Sequence, residues 1–278
     1  MKKRAILTLS AMMATGMLFT GCSSSSSNQK TEKSEEETKY ADEQFIKDMS
    51  KGLQDRWDLN ADDEKKDGYS DIQLQSQEYK DMMLSYIQKE LDCIEKYTDE
   101  KFKDSKLQEY AVKYINLLKQ HKDICQYIPV DYYGKYMDEF TPIYNERSKI
   151  IEDLVENYNL TVDEKHQDTL EEFKTNSQLV KDQDALEEAV KNMLANVQFT
   201  VSEDDGYGWK TYQGIIENTT GKDISALSVN INLKNAEGVI VETMYDDVSN
   251  FTNGSKAQLE FYTDKDFAST EVTANWYE

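Results

Sequence analysis

Apolar residues recur every three to four positions between residues 40 and 196, which is the spacing of one face of an α-helix. The pattern predicts four to six helices joined by short links, and an antiparallel helical bundle is the simplest architecture for them. The stripes are Phe45, Met49 and Leu53; Met83, Ile87, Leu91 and Ile94; Leu107, Ala111, Tyr114 and Leu118; Tyr133, Met137, Phe140, Tyr144, Ile151, Leu154 and Tyr158; and Leu186, Val190, Met193 and Leu194.

Local signals predict where these helices begin. Side chains that accept hydrogen bonds from free backbone N–H groups favour the first turn, as does proline. Thr141 would cap a new helix and Pro142 would lie in its first turn. Helix starts are therefore predicted at Ser105 with Gln108, Thr141-Pro142, Thr161 with Glu164, and Asp184 with Glu187.

After Asn196 the apolar positions alternate with polar ones, the period of strands that are buried on one face. Turn residues at 218–221, 235–238 and 253–254 separate the segments. Six or seven short strands predict a small immunoglobulin-like β-sandwich over residues 197–278, after a helical bundle over 40–196, so the fold class is α+β with several domains. The alternating sets are Val197, Phe199 and Val201; Leu227, Val229, Ile231 and Leu233; Val239, Val241 and Tyr245; Ala257, Leu259 and Phe261; and Val272, Ala274 and Trp276.

The first 22 residues have the pattern of a secretion signal. A basic start at 1–4 precedes a mostly apolar run, 5–19, which is too short for a stable membrane span, and Thr20-Gly21-Cys22 ends it. This segment resembles the signal of bacterial lipoproteins, with Phe19 where that family usually has an aliphatic residue. The resemblance implies that residues 1–21 are removed and that Cys22 receives a diacylglyceryl group.

Two acyl chains hold a protein stably on a bilayer, whereas one chain binds only marginally. We therefore expect the mature chain to be anchored by Cys22 to the extracytoplasmic face of the bacterial cell membrane. Residues 22–39 are polar and rich in serine, which predicts a flexible linker between the anchor and the folded domains.

A second resemblance covers residues 197–278. Gly214 and the strand after it, followed by Asn218-Thr219-Thr220-Gly221, resemble the opening of the FxLYD-type domains of bacterial lipoproteins. The later turns, 237–238 and 253–254, continue the same order, although Leu233-Lys234-Asn235 replaces that family's Leu-Tyr-Asp element. The resemblance implies an extracytoplasmic immunoglobulin-like module with an interaction-type function and no catalytic residues.

Charge and cysteine content narrow the function. The net charge of −22, from 54 acidic and 32 basic residues, repels nucleic acid, and no basic patch offsets it. In a hairpin of helices 77–98 and 105–126, Cys125 would lie about 24 Å along the axis from the level of Cys93. A disulfide needs Cα atoms within about 7 Å. We expect two reduced, largely buried thiols, unless a helix break brings them together.

Two candidate metal sites lack some of the ligands that a metal ion would need. Asp58, Asn60 and Asp62 have the spacing of the first ligands of a calcium loop, but the glycine and the bidentate glutamate that should follow are missing, which favours an acidic, solvated connection. His121 and Cys125 share a helix face, but zinc needs three or four ligands, so a satisfied histidine at a helix end is predicted. No cofactor, metal or catalytic constellation is predicted.

These patterns favour a membrane-anchored surface lipoprotein that is a non-enzymatic binding or scaffolding module for a protein, peptide or cell-wall component. One alternative is a cell-wall-active enzyme whose carboxylate pair the sequence does not reveal. Another is a small-molecule carrier or sensor, which a large apolar cavity among Tyr114, Tyr133, Met137 and Tyr144 would favour.

Overall fold

The computed structural model describes residues 39–277, and it confirms helices followed by a β-sandwich. The predicted lipidation site Cys22, the signal segment and the linker up to residue 38 lie outside the described residues. Short 3₁₀ segments extend α2 and α3, a π-helical segment at Tyr132–Tyr136 leads into α4, and a 3₁₀ turn at Glu164–His166 leads into α5. The helices are α1 (Asp42–Glu64), α2 (Gln77–Ile94), α3 (Ser105–Ile124), α4 (Met137–Tyr158) and α5 (Gln167–Ala195).

The first four apolar stripes form the core of the helical region, as predicted, whereas the stripe from Leu186 to Leu194 packs in the core of the sandwich. Phe45, Ile87, Ala111 and Tyr114 are fully buried there, and consecutive helices pack on one another. Tyr133 departs from the stripe, because it lies in the π-helical segment and is 74% exposed.

α4 does not begin at Pro142. It runs without a break through this residue, and the Thr141 hydroxyl donates to the Met137 carbonyl at 2.8 Å instead of capping a new helix. Proline removes the N–H that would bond to the carbonyl four residues earlier, that of Asp138. Asp138 and Pro142 are both exposed, so water can reach this side of the helix and the proline is tolerated.

Ser105 was predicted to cap α3, but the capping residue is Asp104, one position earlier. Asp104 Oδ1 accepts hydrogen bonds from the N–H groups of Lys106 (2.8 Å) and Leu107 (3.1 Å), so Asp104 caps the helix and Ser105 is its first residue. A carboxylate in this position also interacts favourably with the positive end of the helix dipole.

Two other predicted starts do not begin an α-helix. Only the short 3₁₀ turn follows Thr161, and α5 starts at Gln167 without a side-chain cap. Asp184 lies inside α5, where its carboxylate pairs with Lys149 of α4 at 2.6 Å. In so acidic a chain, an acidic residue followed by glutamate three positions later is also common on exposed helix faces, so the signal is unspecific.

α5 contributes to two hydrophobic cores. Leu170 and Phe173, near its beginning, belong to the core of the helices, whereas Leu186, Val190 and Leu194 belong to the core of the sandwich. A single helix of 29 residues therefore carries apolar residues for both parts of the fold.

Two three-stranded antiparallel sheets form the sandwich. One has the order β1-β2-β5 and the other the order β4-β3-β6. The alternating side chains of β3 (Leu227, Val229, Ile231 and Leu233) are all buried, as predicted. The strands are β1 (Thr200–Asp204), β2 (Lys210–Glu217), β3 (Ile224–Lys234), β4 (Ile240–Phe251), β5 (Lys256–Thr263) and β6 (Ser269–Tyr277).

β4 turns its predicted apolar face outward. Val241 and Tyr245 are 40% and 73% exposed, and Val239, just before the strand, is 58% exposed, so the prediction that they are buried is wrong. Directly opposed residues of paired strands share a face, and Ile231 of β3 is opposite Met244. The pairing therefore turns Met244 towards the core, and Val248 also packs against it.

The turn at 218–221 is built around a buried asparagine. Asn218 Nδ2 donates to the carbonyls of Lys222 (2.9 Å) and Phe251 (2.7 Å), and its Oδ1 accepts from Thr220. Gly221 has a φ of +83°, which glycine adopts at little cost.

Between residues 39 and 277, no helix is both long and apolar enough to cross a bilayer.

Candidate functional site

Four helices each contribute one side chain to a buried charged cluster around Glu90. Arg147 Nη2 of α4 lies 3.0 Å from Glu90 Oε2, and Arg56 Nη1 of α1 lies 2.8 Å from the same oxygen. The Tyr114 hydroxyl of α3 donates to Glu90 Oε1 and accepts from Arg147 Nη2 at 2.9 Å. The cluster therefore joins α1, α2, α3 and α4 through polar contacts inside an apolar core.

The helix sequences explain how these groups meet. Glu90 lies on the apolar face of α2, between Ile87 and Leu91. Gly52 lets α1 approach this point closely, because a Cβ there would lie 3.1 Å from the Glu90 carbonyl oxygen. Arg56 comes four residues after Gly52 and so shares its helix face.

The cluster is almost inaccessible to solvent. Glu90 and Tyr114 are 0% exposed and Arg147 is 1% exposed. Burial alone would raise the pKa of Glu90, but the charges of Arg147 and Arg56, together with the Tyr114 hydrogen bond, lower it. Glu90 is therefore ionised, and its burial is compensated by pairing.

Two arginines share this single carboxylate, so the cluster carries an excess of one positive charge. Its field reaches His121, whose pKa is held well below the ordinary value first by burial and then by the charges of Arg56 and Arg147. Within residues 39–277, Arg147 Nη1 makes no hydrogen bond, and neither do Nε and Nη2 of Arg56. The protein itself thus uses only part of the donor capacity of the two guanidinium groups.

Arg56 and Arg147 both line a cleft of about 900 Å³. Its walls come from α1, α2, α4, α5 and the 3₁₀ turn before α5. This volume lies within the range of small-molecule sites in proteins, which is about 300–1,000 Å³. A second groove, of about 610 Å³, lies beside Asp42 and Tyr158, but none of the buried charged residues lines it.

Aromatic rings form one wall of the cleft. Phe173 stacks on Trp57 with ring centroids 6.0 Å apart and contacts Tyr144 at 5.2 Å, and Tyr144 stacks on Phe140 at 5.7 Å. The Arg147 guanidinium lies 5.8 Å from the Phe173 ring centroid. Apolar surface and the two arginines therefore face the same space.

The other charges that line the cleft are largely paired. Lys165 Nζ lies 2.6 Å from Asp58 Oδ1, and Lys65 Nζ lies 3.0 Å from Asp62 Oδ1. His166 Nε2 lies 3.1 Å from Asp58 Oδ1, but within the described chain this nitrogen makes no hydrogen bond of acceptable geometry.

The sequence-predicted candidates fall partly in this cleft. Asp58, Asn60 and Asp62 line it, but they lie in the last two turns of α1, so the predicted acidic connection is wrong. Of the tyrosines proposed to surround an apolar cavity, Tyr144 lines the cleft and Tyr114 lies in the buried cluster. Tyr133 is exposed and Met137 does not line the cleft, so the cleft is not the apolar cavity that the sequence suggested.

His121 and the cysteines lie elsewhere. His121 Nε2 is 3.0 Å from the Tyr136 hydroxyl, but its Nδ1 has no partner in residues 39–277. The prediction of a histidine with satisfied hydrogen bonds therefore holds for only one of its two ring nitrogens. Both thiols are free. Cys125 is buried as predicted, whereas Cys93 is only half-buried. In the described residues, no group of three or more His, Cys, Asp or Glu side chains is placed to hold a metal ion.

Sequence reasoning missed the charged cluster. The available signals were Glu90 within an apolar stripe and the scarcity of arginine, since Arg56 and Arg147 are the only arginines after Arg4.

Comparison with protein-family models, with curated proteins and with solved structures found no match to this chain.

Proposed function

We propose that this protein is a membrane-anchored, non-enzymatic binding protein of the bacterial surface and that the cleft beside Arg56 and Arg147 is its ligand-binding site. The observation that carries the proposal is the cleft of about 900 Å³, where unused guanidinium donors and an aromatic wall meet. Concave sites with apolar walls and a few polar groups are the usual form of small-molecule sites. The cleft favours the alternative of a small-molecule carrier or sensor over a flat scaffolding surface for a macromolecule.

The anchor and the sandwich complete the proposal. A diacylglyceryl group on Cys22 would hold the protein on the outer face of the membrane, and the polar linker would let the folded domains extend from it. The resemblance of residues 197–278 to FxLYD-type domains supports an extracytoplasmic location with a protein, peptide or cell-wall component as a further partner.

The anchor is tested by the intact mass of the protein purified from its own membranes. The proposal predicts a mature chain that starts at Cys22 and carries a diacylglyceryl group, and it predicts that Cys22→Ser abolishes the modification. A mature chain with an unmodified thiol would refute the anchor and leave the cleft untested by that result, so the binding site needs its own experiment.

The binding site is tested by photo-crosslinking in cells that make the protein. Thr169 of α5 lines the cleft, whereas Thr175 lies on the same helix and is exposed. Replacing Thr169 with p-benzoylphenylalanine should give a small-molecule adduct of defined mass after irradiation, and the same change at Thr175 should not. Equal labelling at both positions, or none at Thr169, would refute the cleft as the site.

A further inference from the structure

We propose that the ligand of this cleft carries a single carboxylate group on an aromatic or apolar body, and that the carboxylate lies between Arg56 and Arg147. This inference rests on the proposed function, because it assigns a chemical class to the ligand of the same cleft. Four observations carry it: the charge of the cluster, the unused donors, the acidic lining and the aromatic wall.

The charge of the cluster calls for one anion. Arg56 and Arg147 together carry two positive charges, and Glu90 supplies one negative charge. A buried charge without a counter-charge is costly, because the protein interior replaces the lost hydration poorly. The net charge of the whole chain is −22, so the buried cluster has a charge of the opposite sign to the protein as a whole. One bound anion would neutralise it.

The unused donors suit a carboxylate. Arg56 uses only Nη1 on Glu90, and Arg147 uses Nε and Nη2 on Glu90 and Tyr114. Guanidinium groups bind carboxylates through pairs of nearly parallel N–H donors, and hydrogen bonds between charged groups are stronger than neutral ones. Nη1 of Arg147 and the Nε–Nη2 edge of Arg56 are the donors that remain.

The acidic lining favours an anion with one charge over one with two. Asp58, Asp62, Glu64 and Glu172 also line the cleft, and two of these carboxylates already use its lysines. Like charges in a confined space repel, so a phosphate dianion would meet more repulsion than a carboxylate. At the two guanidinium groups the local excess of one positive charge matches one carboxylate, whereas Glu64 and Glu172, which form no ion pair in the described residues, would repel a second negative charge.

The aromatic wall sets the body of the ligand. Phe173 contacts Trp57, Tyr144 and the Arg147 guanidinium, so a ring or apolar chain attached to the bound carboxylate would pack on these side chains. Aromatic pairs gain energy beyond the area that they bury.

Titration calorimetry with the full-length lipoprotein, purified from membranes in a non-ionic detergent, tests the inference. The probes are phenylacetate, which is ionised at neutral pH, its neutral isostere phenylacetamide, and inorganic phosphate. We expect phenylacetate to bind about tenfold or more tightly than the amide, the difference expected for hydrogen bonds to a charged group. Phosphate should bind more weakly than phenylacetate.

Variants of two residues of α1 separate the site from general charge effects. Arg56→Met should weaken phenylacetate binding by about tenfold and leave phenylacetamide unchanged. Lys51→Met removes the same charge from the same helix away from the cleft and should change neither. Should Arg56→Met fail to fold, Arg56→Lys keeps the charge without the planar fork and should lose part of the affinity.

The failures are distinguishable. Equal binding of the acid and the amide, or an unchanged affinity in a folded Arg56→Met or Arg56→Lys protein, would overturn the carboxylate and leave the cleft as a binding site. Tighter binding of phosphate than of phenylacetate would overturn the aromatic monocarboxylate. No binding of any probe, together with no adduct at position 169, would overturn the inference and the proposed function together.

Discussion

Arg147 Nη2 lies 3.0 Å from Glu90 Oε2, although the two residues are 57 positions apart and both are almost fully buried. This contact ties α4 to α2 in the centre of the helical core, and Arg56 adds a second cation from α1. It connects the stability of the bundle to the charge of the cleft, because the same guanidinium groups serve both.

Removing Glu90 should destabilise the protein more than removing Arg56. Glu90→Gln leaves two cations at the cluster without their anion, and breaking a buried ion pair costs about 3–5 kcal/mol of unfolding free energy. Arg56→Met should cost less, because Arg147 still neutralises Glu90 and the Arg56 side chain is 13% exposed. Urea unfolding followed by circular dichroism measures both. A smaller loss for Glu90→Gln than for Arg56→Met would contradict the charge count.

Stability should fall as the pH drops from about 7.5 to 5.5, and His121 should contribute to this fall. Because the folded pKa of His121 lies well below its ordinary value of 6.5, the unfolded chain binds a proton in this range that the folded chain does not. The slope from one such group approaches about 1.4 kcal/mol per pH unit.

The control for this prediction is His121→Gln, which cannot take up the proton. Its free energy of unfolding should change less between the two pH values than that of the unchanged protein, whatever its absolute stability. Equal slopes in the two proteins would show that His121 is not held neutral in the folded state.

The two described thiols should differ in reactivity. Burial raises the pKa of the Cys125 thiol to about 12, and Cys125 is 0% exposed, whereas Cys93 is only half-buried. Maleimide should therefore modify Cys93 in the folded protein and Cys125 only after unfolding, which mass mapping resolves. Denatured protein purified from its own membranes should give two thiols per chain, since the sulfur of the third cysteine, Cys22, would carry the diacylglyceryl group in a thioether. A count of three would contradict the anchor.

Gly214 should be intolerant of alanine. A Cβ there would lie 2.9 Å from Val197 Cγ1 and 3.0 Å from Phe199 Cδ1, two side chains that pack at the edge of the sandwich core. Overpacking of this kind costs about 1–3 kcal/mol. The neighbouring exposed residue supplies the control, because Ile215→Ala should change the melting temperature little. Similar melting temperatures for both variants would rule out the close approach.

Local patterns predicted much of the fold. Residues such as Ile87 and Leu91, or Val229 and Ile231, are buried because a single period places them on one face, and the sequence displays that period directly. The prediction of which face of β4 is buried was wrong because apolar residues lie on both faces of this strand. Only pairing with β3, a non-local event, selects Met244 over Tyr245 for the interior.

The candidate site was hidden for the same reason. Glu90, Tyr114 and Arg147 each lie within a helical stripe, but their meeting depends on how three helices pack. Pro142 shows the reverse case, because its strong local signal for a helix start was misleading. The helix continues through Pro142, since this side of the helix is exposed and water can reach the free carbonyl.

A crystal structure of the protein with phenylacetate tests the central claim most directly. The account predicts the carboxylate within hydrogen-bond distance, about 2.7–3.2 Å, of donors from both Arg56 and Arg147, with the ring against Phe173. Phenylacetate bound outside the cleft, or inside it with the carboxylate away from both arginines, would contradict the account.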